Sequence, residues 1–119
     1  MKLSKAIRTG AKLRGQARGT FFDERESGEI LTDALGAAFE AAGIIDVSSL
    51  DTYMPPDNLA ELLEPFDVSG MEVPCPVAVC GHHAYSHRRK AVHSVVIHLT
   101  DYHCWSREGI AAWLERYGC

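Results

Sequence analysis

The second half of the sequence carries two cysteines and two histidines at spacings that suit a tetrahedral metal ion. The pattern is Cys75-x4-Cys80-x17-His98-x4-His103. In 75-CPVAVCG-81 a short turn aims two thiolates at one point, and Gly81 frees the backbone after the second of them. Finger-type sites accept roughly two to four residues between cysteines and roughly three to five between histidines, so both pairs fall within range. Two soft thiolates with two imidazoles suit zinc. Four protein ligands leave no open position for water, so one structural zinc ion is expected. His93 is a rival ligand, because Cys80-x12-His93-x4-His98 matches the shorter finger spacing.

Helix geometry ranks the rivals. Residues five apart stand about 140° apart on a regular helix, so both rings converge only where the helix ends or tightens. A helix that starts near Lys90 and turns Val92, Val95, Val96 and Leu99 inward would hold His93 and His98 in its regular interior. His103 lies past Thr100-Asp101, where the chain can turn, and this favours His98 with His103. Asp101, between them, is the expected acceptor for an imidazole N–H. Cys104 beside His103 suggests a thiol nucleophile, but the base, orienting group and oxyanion site that such chemistry needs are not visible. A non-enzymatic protein is favoured over a zinc- or cysteine-dependent hydrolase.

The net charge of −4 conceals an asymmetry. Residues 1–18 hold Lys2, Lys5, Arg8, Lys12, Arg14 and Arg18 with no acid, whereas residues 19–73 hold thirteen acids and the single base Arg25. All six histidines fall after residue 80. Lys5, Arg8, Lys12, Arg88, Arg89 and Lys90 are the candidate phosphate contacts if the partner is a nucleic acid. The basic end can instead pair with the acidic middle of its own fold, and the sign asymmetry favours that. Either a protein or a nucleic acid remains open as the partner, and no small-molecule substrate is evident. No apolar run approaches the roughly eighteen residues of a membrane span, and the N-terminus lacks a secretory h-region. A bacterial cytoplasm is therefore the expected compartment, and the cysteines are expected to be thiols or ligands rather than disulfides.

The elements that must position these residues read as mainly α, with minor β, in one domain over 1–119. A helical part (1–66) precedes a zinc-finger-like part (71–119) made of the Cys-x4-Cys knuckle and two C-terminal helices. Ser4 is the expected cap of a first helix that ends near residue 17. Ile30, Leu31, Ala34, Leu35, Ala38, Ala41 and Ala42 predict a second helix closed by Gly43. Phe21-Phe22 reads as extended and 23–28 as a charged turn; 44–56 is a connection, and Asp57 can cap a short helix over 58–64 that Pro65 stops. The chain from 66 to 74 reads as loop. Ser106 caps a last helix with Ile110, Trp113, Leu114 and Tyr117 on one face and Trp105 stapled onto Ile110. Its Ser-x-Glu-x-Ile-Ala-x-x-Leu pattern also suits a helix-turn-helix, so a DNA-binding regulator built on the two C-terminal helices is an alternative.

The tail 98-HLTDYHCWSREGIAAWLE-115 resembles that of small proteins encoded in phages and bacterial prophages, with the signature HLND-x-H-x-W-[ST]-RE-x-IA-x-W-[LV]. Ala6-Ile7-Arg8-Thr9-Gly10 matches their AI-x-x-G segment, 34-ALGAAFEAAG-43 their ALGAA-type helix, and Cys75-Pro76 to Cys80 their Cys-Pro pair. Thr100 stands where the signature has Asn. The resemblance implies a phage or prophage setting and His98 with His103 rather than His93 as ligands. It implies no activity.

Overall fold

The computed structural model describes residues 1–46 and 59–119. Helix α1 (Leu3–Ala11) buries Leu3, Ala6, Ile7 and Gly10. A hairpin of β1 (Phe22–Glu24) and β2 (Ile30–Thr32) leads into α2 (Ala34–Ala41). After α3 (Leu59–Leu63) and a 3₁₀ turn at Glu64–Phe66 come β3 (Glu72–Pro74) and β4 (Arg89–Ala91). Helices α4 (Val92–Asp101) and α5 (Arg107–Glu115) complete the mainly helical fold. Buried side chains from all five helices and from β3 form one continuous cluster that runs from Leu3 to Cys119.

Two expected boundaries move, each for a visible reason. Ser4 is buried inside α1 and does not cap it; Lys2 holds the cap position, and the Ser4 amide instead donates to the Cys119 carbonyl at 3.0 Å. The helix stops at Ala11 rather than near 17 because the backbone of 15–17 pairs with Thr32. The Thr32 amide donates to the Gly15 carbonyl at 3.0 Å, and the Ala17 amide to the Thr32 carbonyl at 2.9 Å.

Ile30 and Leu31 are strand, not helix. They pair antiparallel with β1, placing Ile30 opposite Glu24 and Thr32 opposite Phe22. Asp33 then starts α2 by accepting the Gly36 amide at 2.8 Å, a cap that the apolar periodicity masked. Glu72–Pro74, expected as loop, pairs with β4 so that Val73 faces Lys90. β4 also displaces the start of the following helix from Lys90 to Val92. Pro65 ends α3 as expected and sits in the first turn of the 3₁₀ segment. The connection up to Pro55-Pro56 and the Asp57 cap fall largely or wholly on residues 47–58, outside the described residues.

The last helix follows the expected pattern at its start. Ser106 Oγ accepts the Gly109 amide at 3.0 Å, and Ile110, Trp113 and Leu114 are buried. Trp105 packs part-buried against the same core. Tyr117 lies beyond the helix end and is exposed.

Helices α1 and α2 touch backbone to backbone. A Cβ on Gly10 would lie 1.9 Å from the Ala37 carbonyl oxygen, and one on Gly36 would lie 2.1 Å from that of Phe21. Neither obstacle is a flexible side chain: at Gly10 the two helices would have to move apart, and at Gly36 the start of α2 would have to leave the segment before β1. Gly10→Ala is expected to lower stability by about 1–3 kcal/mol despite the better helix propensity of alanine, measurable by denaturant titration.

Asp33 supplies a second test. Its burial raises the carboxyl to about 7, against the opposing pull of its bond from Gly36 and of Arg107. Between the unfolded value of 3.8 and about 7 the folded chain holds one proton more than the unfolded chain. Stability therefore falls as pH rises across that window and levels off above it. Asn caps as well as Asp, so Asp33→Asn is expected to gain stability relative to the parent from pH 5 to 7 and then hold the difference. Parallel unfolding curves from pH 5 to 8 measure this, and metal-linked effects common to both proteins cancel in the comparison.

Candidate metal centre

The β3–β4 ladder sets the base of the site. Because Pro74 pairs with Arg89, the intervening segment leaves and returns at one place, with Cys75 directly after the outgoing strand. Residues 75–81 turn without regular structure and carry Val79 outward, 90% exposed, while Cys80 turns in and is buried. The ladder also delivers the chain straight into α4, whose Val92, Val95, Val96 and Leu99 face the core as the sequence predicted. His98 lies in the last turn of that helix and is only 4% exposed.

His103 reaches the same point as the spacing suggested, because α4 ends at Asp101 and the chain turns before it. Its amide donates to the His98 carbonyl at 3.4 Å, an i→i−5 bond, alongside the ordinary i→i−4 bond from Tyr102 to His98 at 2.8 Å. The His98 carbonyl thus accepts from both residues as the helix runs out. A turn closed by an i→i−5 bond is wider than an α-helical one and lessens the roughly 140° divergence of a regular helix. Cys104 then takes a left-handed conformation (φ 56°) and redirects the chain, and the Trp105 amide closes on the Leu99 carbonyl at 2.9 Å.

The donor atoms of Cys75, Cys80, His98 and His103 all lie within 4.8 Å of one another. Cys75 Sγ is 3.4 Å from His103 Nε2, and Cys80 Sγ is 3.4 Å from His98 Nε2. Metal–sulfur and metal–nitrogen bonds of about 2.3 and 2.0–2.1 Å in a tetrahedron would place such S and N atoms about 3.6 Å apart. These two edges lie close to that value, while the 4.8 Å span of the whole donor set is wider than a closed tetrahedron. Burial, with His103 and His82 nearby, pushes His98 down to about 4, so its ring is neutral and ready to ligate. Burial also pushes the Cys75 thiol up, and Cys80 beside it pushes the same way. A divalent cation would reverse that cost by holding both sulfurs as thiolates.

His93 belongs to a different place. It lines a small depression with Ala60, Leu63, Val68, Ser69, Gly70 and Ala91 and is not among the clustered donors. Among the described hydrogen bonds, that of Asp101 goes to the main chain and not to an imidazole. Its carboxylate accepts the backbone N–H of Gly19 at 3.0 Å, because the left-handed turn at Gly19 (φ 83°) brings that amide to it. The same N-terminal loop grips the segment around His103. Arg18 donates to the Thr100 carbonyl at 3.1 Å, and Gln16 Nε2 to the Trp105 carbonyl at 3.1 Å.

Of the candidate phosphate contacts, Arg8 pairs with Glu108 at 2.8 Å and also with Glu115, and Arg89 donates to the Glu72 carbonyl at 2.7 Å. Lys5, Lys12 and Arg88 are exposed, and Lys90 is half-buried on β4. Arg14 pairs with Glu40 of the acidic middle at 3.0 Å. The sequence reading missed a cluster of rings around His98, formed by His82, Tyr85 and Tyr102. One part of it was visible as the i, i+4 spacing of His98 and Tyr102 at the end of a helix.

The fold and site define a small, mainly helical domain with a Cys75-x4-Cys80 knuckle and two C-terminal helices around a candidate metal centre. Comparison with family models, with curated proteins and with solved structures finds no match to this chain. Cobalt(II) tests the ligand assignment directly. The chain is expected to give the intense visible bands and sulfur-to-metal absorption of a tetrahedral S2N2 site. His103→Ala should abolish the tetrahedral spectrum, and His93→Ala should leave it unchanged.

Proposed function

We propose that this chain is a non-enzymatic accessory protein of phage or prophage type, held together by one structural zinc ion and acting by binding another protein in the bacterial cytoplasm. The observation that carries the reading is the convergence of two sulfurs and two imidazole nitrogens within 4.8 Å. Two thiolates and two neutral imidazoles are a zinc-type donor set, and four protein donors leave no place for a catalytic water. The tail signature supports the phage or prophage setting. No described helix is long and apolar enough to cross a membrane.

A protein partner has more support than a nucleic acid. The basic residues that could form a phosphate track are partly spent within the fold, on Glu108, Glu115, Glu40 and main-chain carbonyls. The DNA-regulator alternative needs α5 as a reading helix. Its apolar face is buried in the core, and its solvent side carries Glu108 and Glu115, which repel phosphate. A cysteine hydrolase has the least support, because Cys104 is exposed and points to no assembled acid–base partner among the described hydrogen bonds.

Zinc in finger peptides binds with about 10–16 kcal/mol at neutral pH, as much as or more than the net stability of an ordinary domain. The purified chain is therefore expected to hold close to one zinc per molecule by elemental analysis, and Cys75→Ser or His98→Ala to lose most of it. A fully folded preparation without metal would end the reading. Duplex DNA at low salt should show no retarded band; a band that fades as salt rises would move the partner from protein to nucleic acid.

A further inference from the structure

We infer that Tyr85 and Tyr102 are positioning residues for the metal centre: they clamp the imidazole of His98 between two parallel rings and hold its Nε2 on the metal. This rests on the zinc reading above and adds the device that orients one of its ligands. A ligating histidine is ordinarily held by a hydrogen bond from its second ring nitrogen to a carboxylate, carbonyl or water. Here no described hydrogen bond reaches Nδ1 of His98, and Asp101, the nearest carboxylate in sequence, is engaged by Gly19. Flat side chains stacked on the ring can fix its plane as well.

The rings do so. Tyr85 lies over His98 with centroids 3.9 Å apart and planes 7° apart. Tyr102 lies parallel as well, at 5.2 Å and 14°. Both phenols are parallel to the imidazole and make no described ring contact with each other, as expected of rings on opposite faces. His82 stands edge-on to all three, 5.1 Å from Tyr85, 5.4 Å from His98 and 5.3 Å from Tyr102, and closes the side of the stack. Both rings are held near α4. The Tyr85 hydroxyl donates to the Ser94 carbonyl at 3.4 Å, a long contact that adds little, and Tyr102 is tied to the same helix by the hydrogen bond from its amide to the His98 carbonyl. Rotation of the imidazole about its χ2 bond would drive its edges into the flanking rings. The stack therefore restricts the ring to the plane in which Nε2 points at Cys80 Sγ.

The test compares zinc affinity, by competition with a chromophoric chelator, across three full-chain variants. Tyr85→Phe keeps the flat ring and loses only the hydroxyl, so its Kd should stay within about threefold of the parent. Tyr85→Leu keeps apolar bulk without a plane, and its Kd should weaken by about ten- to a hundredfold, the range seen when the partners that orient a metal ligand are removed. Tyr102→Ala alters a half-exposed side chain and keeps the assay open if Tyr85→Leu does not fold; about a tenfold loss is expected. Cobalt spectra add a readout that general destabilisation would not move. The loosened variants should show broadened, weaker visible bands, while Tyr85→Phe keeps the parental spectrum.

Parental affinity and spectrum in both Tyr102→Ala and a folded Tyr85→Leu would overturn the clamp while leaving the zinc site intact. Equal losses in Tyr85→Phe and Tyr85→Leu would overturn it too, since the hydroxyl and not the plane would then matter. If the parent itself binds no zinc, the underlying reading fails before the clamp is reached.

Discussion

The geometry of the candidate metal centre depends on how α4 ends: the helix stops at Asp101, and the His98 carbonyl accepts from the amides of both Tyr102 and His103. Had the helix run on regularly, the two imidazoles would leave it in different directions. With this ending, the close of α4 becomes a second jaw opposite the Cys75–Cys80 turn. The left-handed residue that follows is Cys104 and not glycine. A non-glycine residue in that region carries of order 1–3 kcal/mol of strain, so the surrounding bonds must hold it there. Those bonds come from the opposite end of the chain: Arg18, Gln16 and Gly19 hold the carbonyls and carboxylate on either side of His103.

This strap changes how the two parts of the protein relate. The division into a helical N-terminal part and a finger-like C-terminal part describes the sequence pattern well. Energetically the parts share ligands' neighbours and a core. Leu3 and Ile7 belong to the same buried cluster as Val95, Leu99 and Leu114. By linkage, whatever stabilises the packed position of loop 15–19 against α4 would also favour a metal ion at the four donors, and the ion would return the same free energy to the packing.

Legibility of the sequence divides along physical lines. The donor set could be read because metal coordination restricts residue type and spacing tightly, and because His103 falls where an amphipathic pattern runs out. The start of α5 could be read because Ser106 satisfies a local rule at a distance of three residues. The strands could not. Ile30 and Leu31 share the apolar identity of the helix that follows, and only their pairing with Phe22–Glu24 makes them strand. Glu72–Pro74 contains a proline and only three residues, so its partner β4, fifteen residues further on, decides its state. Asp101 illustrates the same limit at the level of one side chain. Local sequence placed it beside two imidazoles, and a glycine amide 82 residues earlier claimed its carboxylate. The aromatic clamp lay between these cases, since Tyr102 stands one turn from His98, but Tyr85 arrives from a loop whose path no periodicity reveals.

The strap also sets an order of events during synthesis. Arg18 emerges 82 residues before Thr100, whose carbonyl it will hold, and His103 is the last donor made. Domains generally fold as units. The cysteine turn and the N-terminal loop are both made before the fourth ligand, but Ile110, Leu114 and Cys119 of the shared core come after it. Four donors can surround an ion only after the end of α4 has docked on that loop. Closure of the centre and completion of the core therefore fall together, once the whole chain is available.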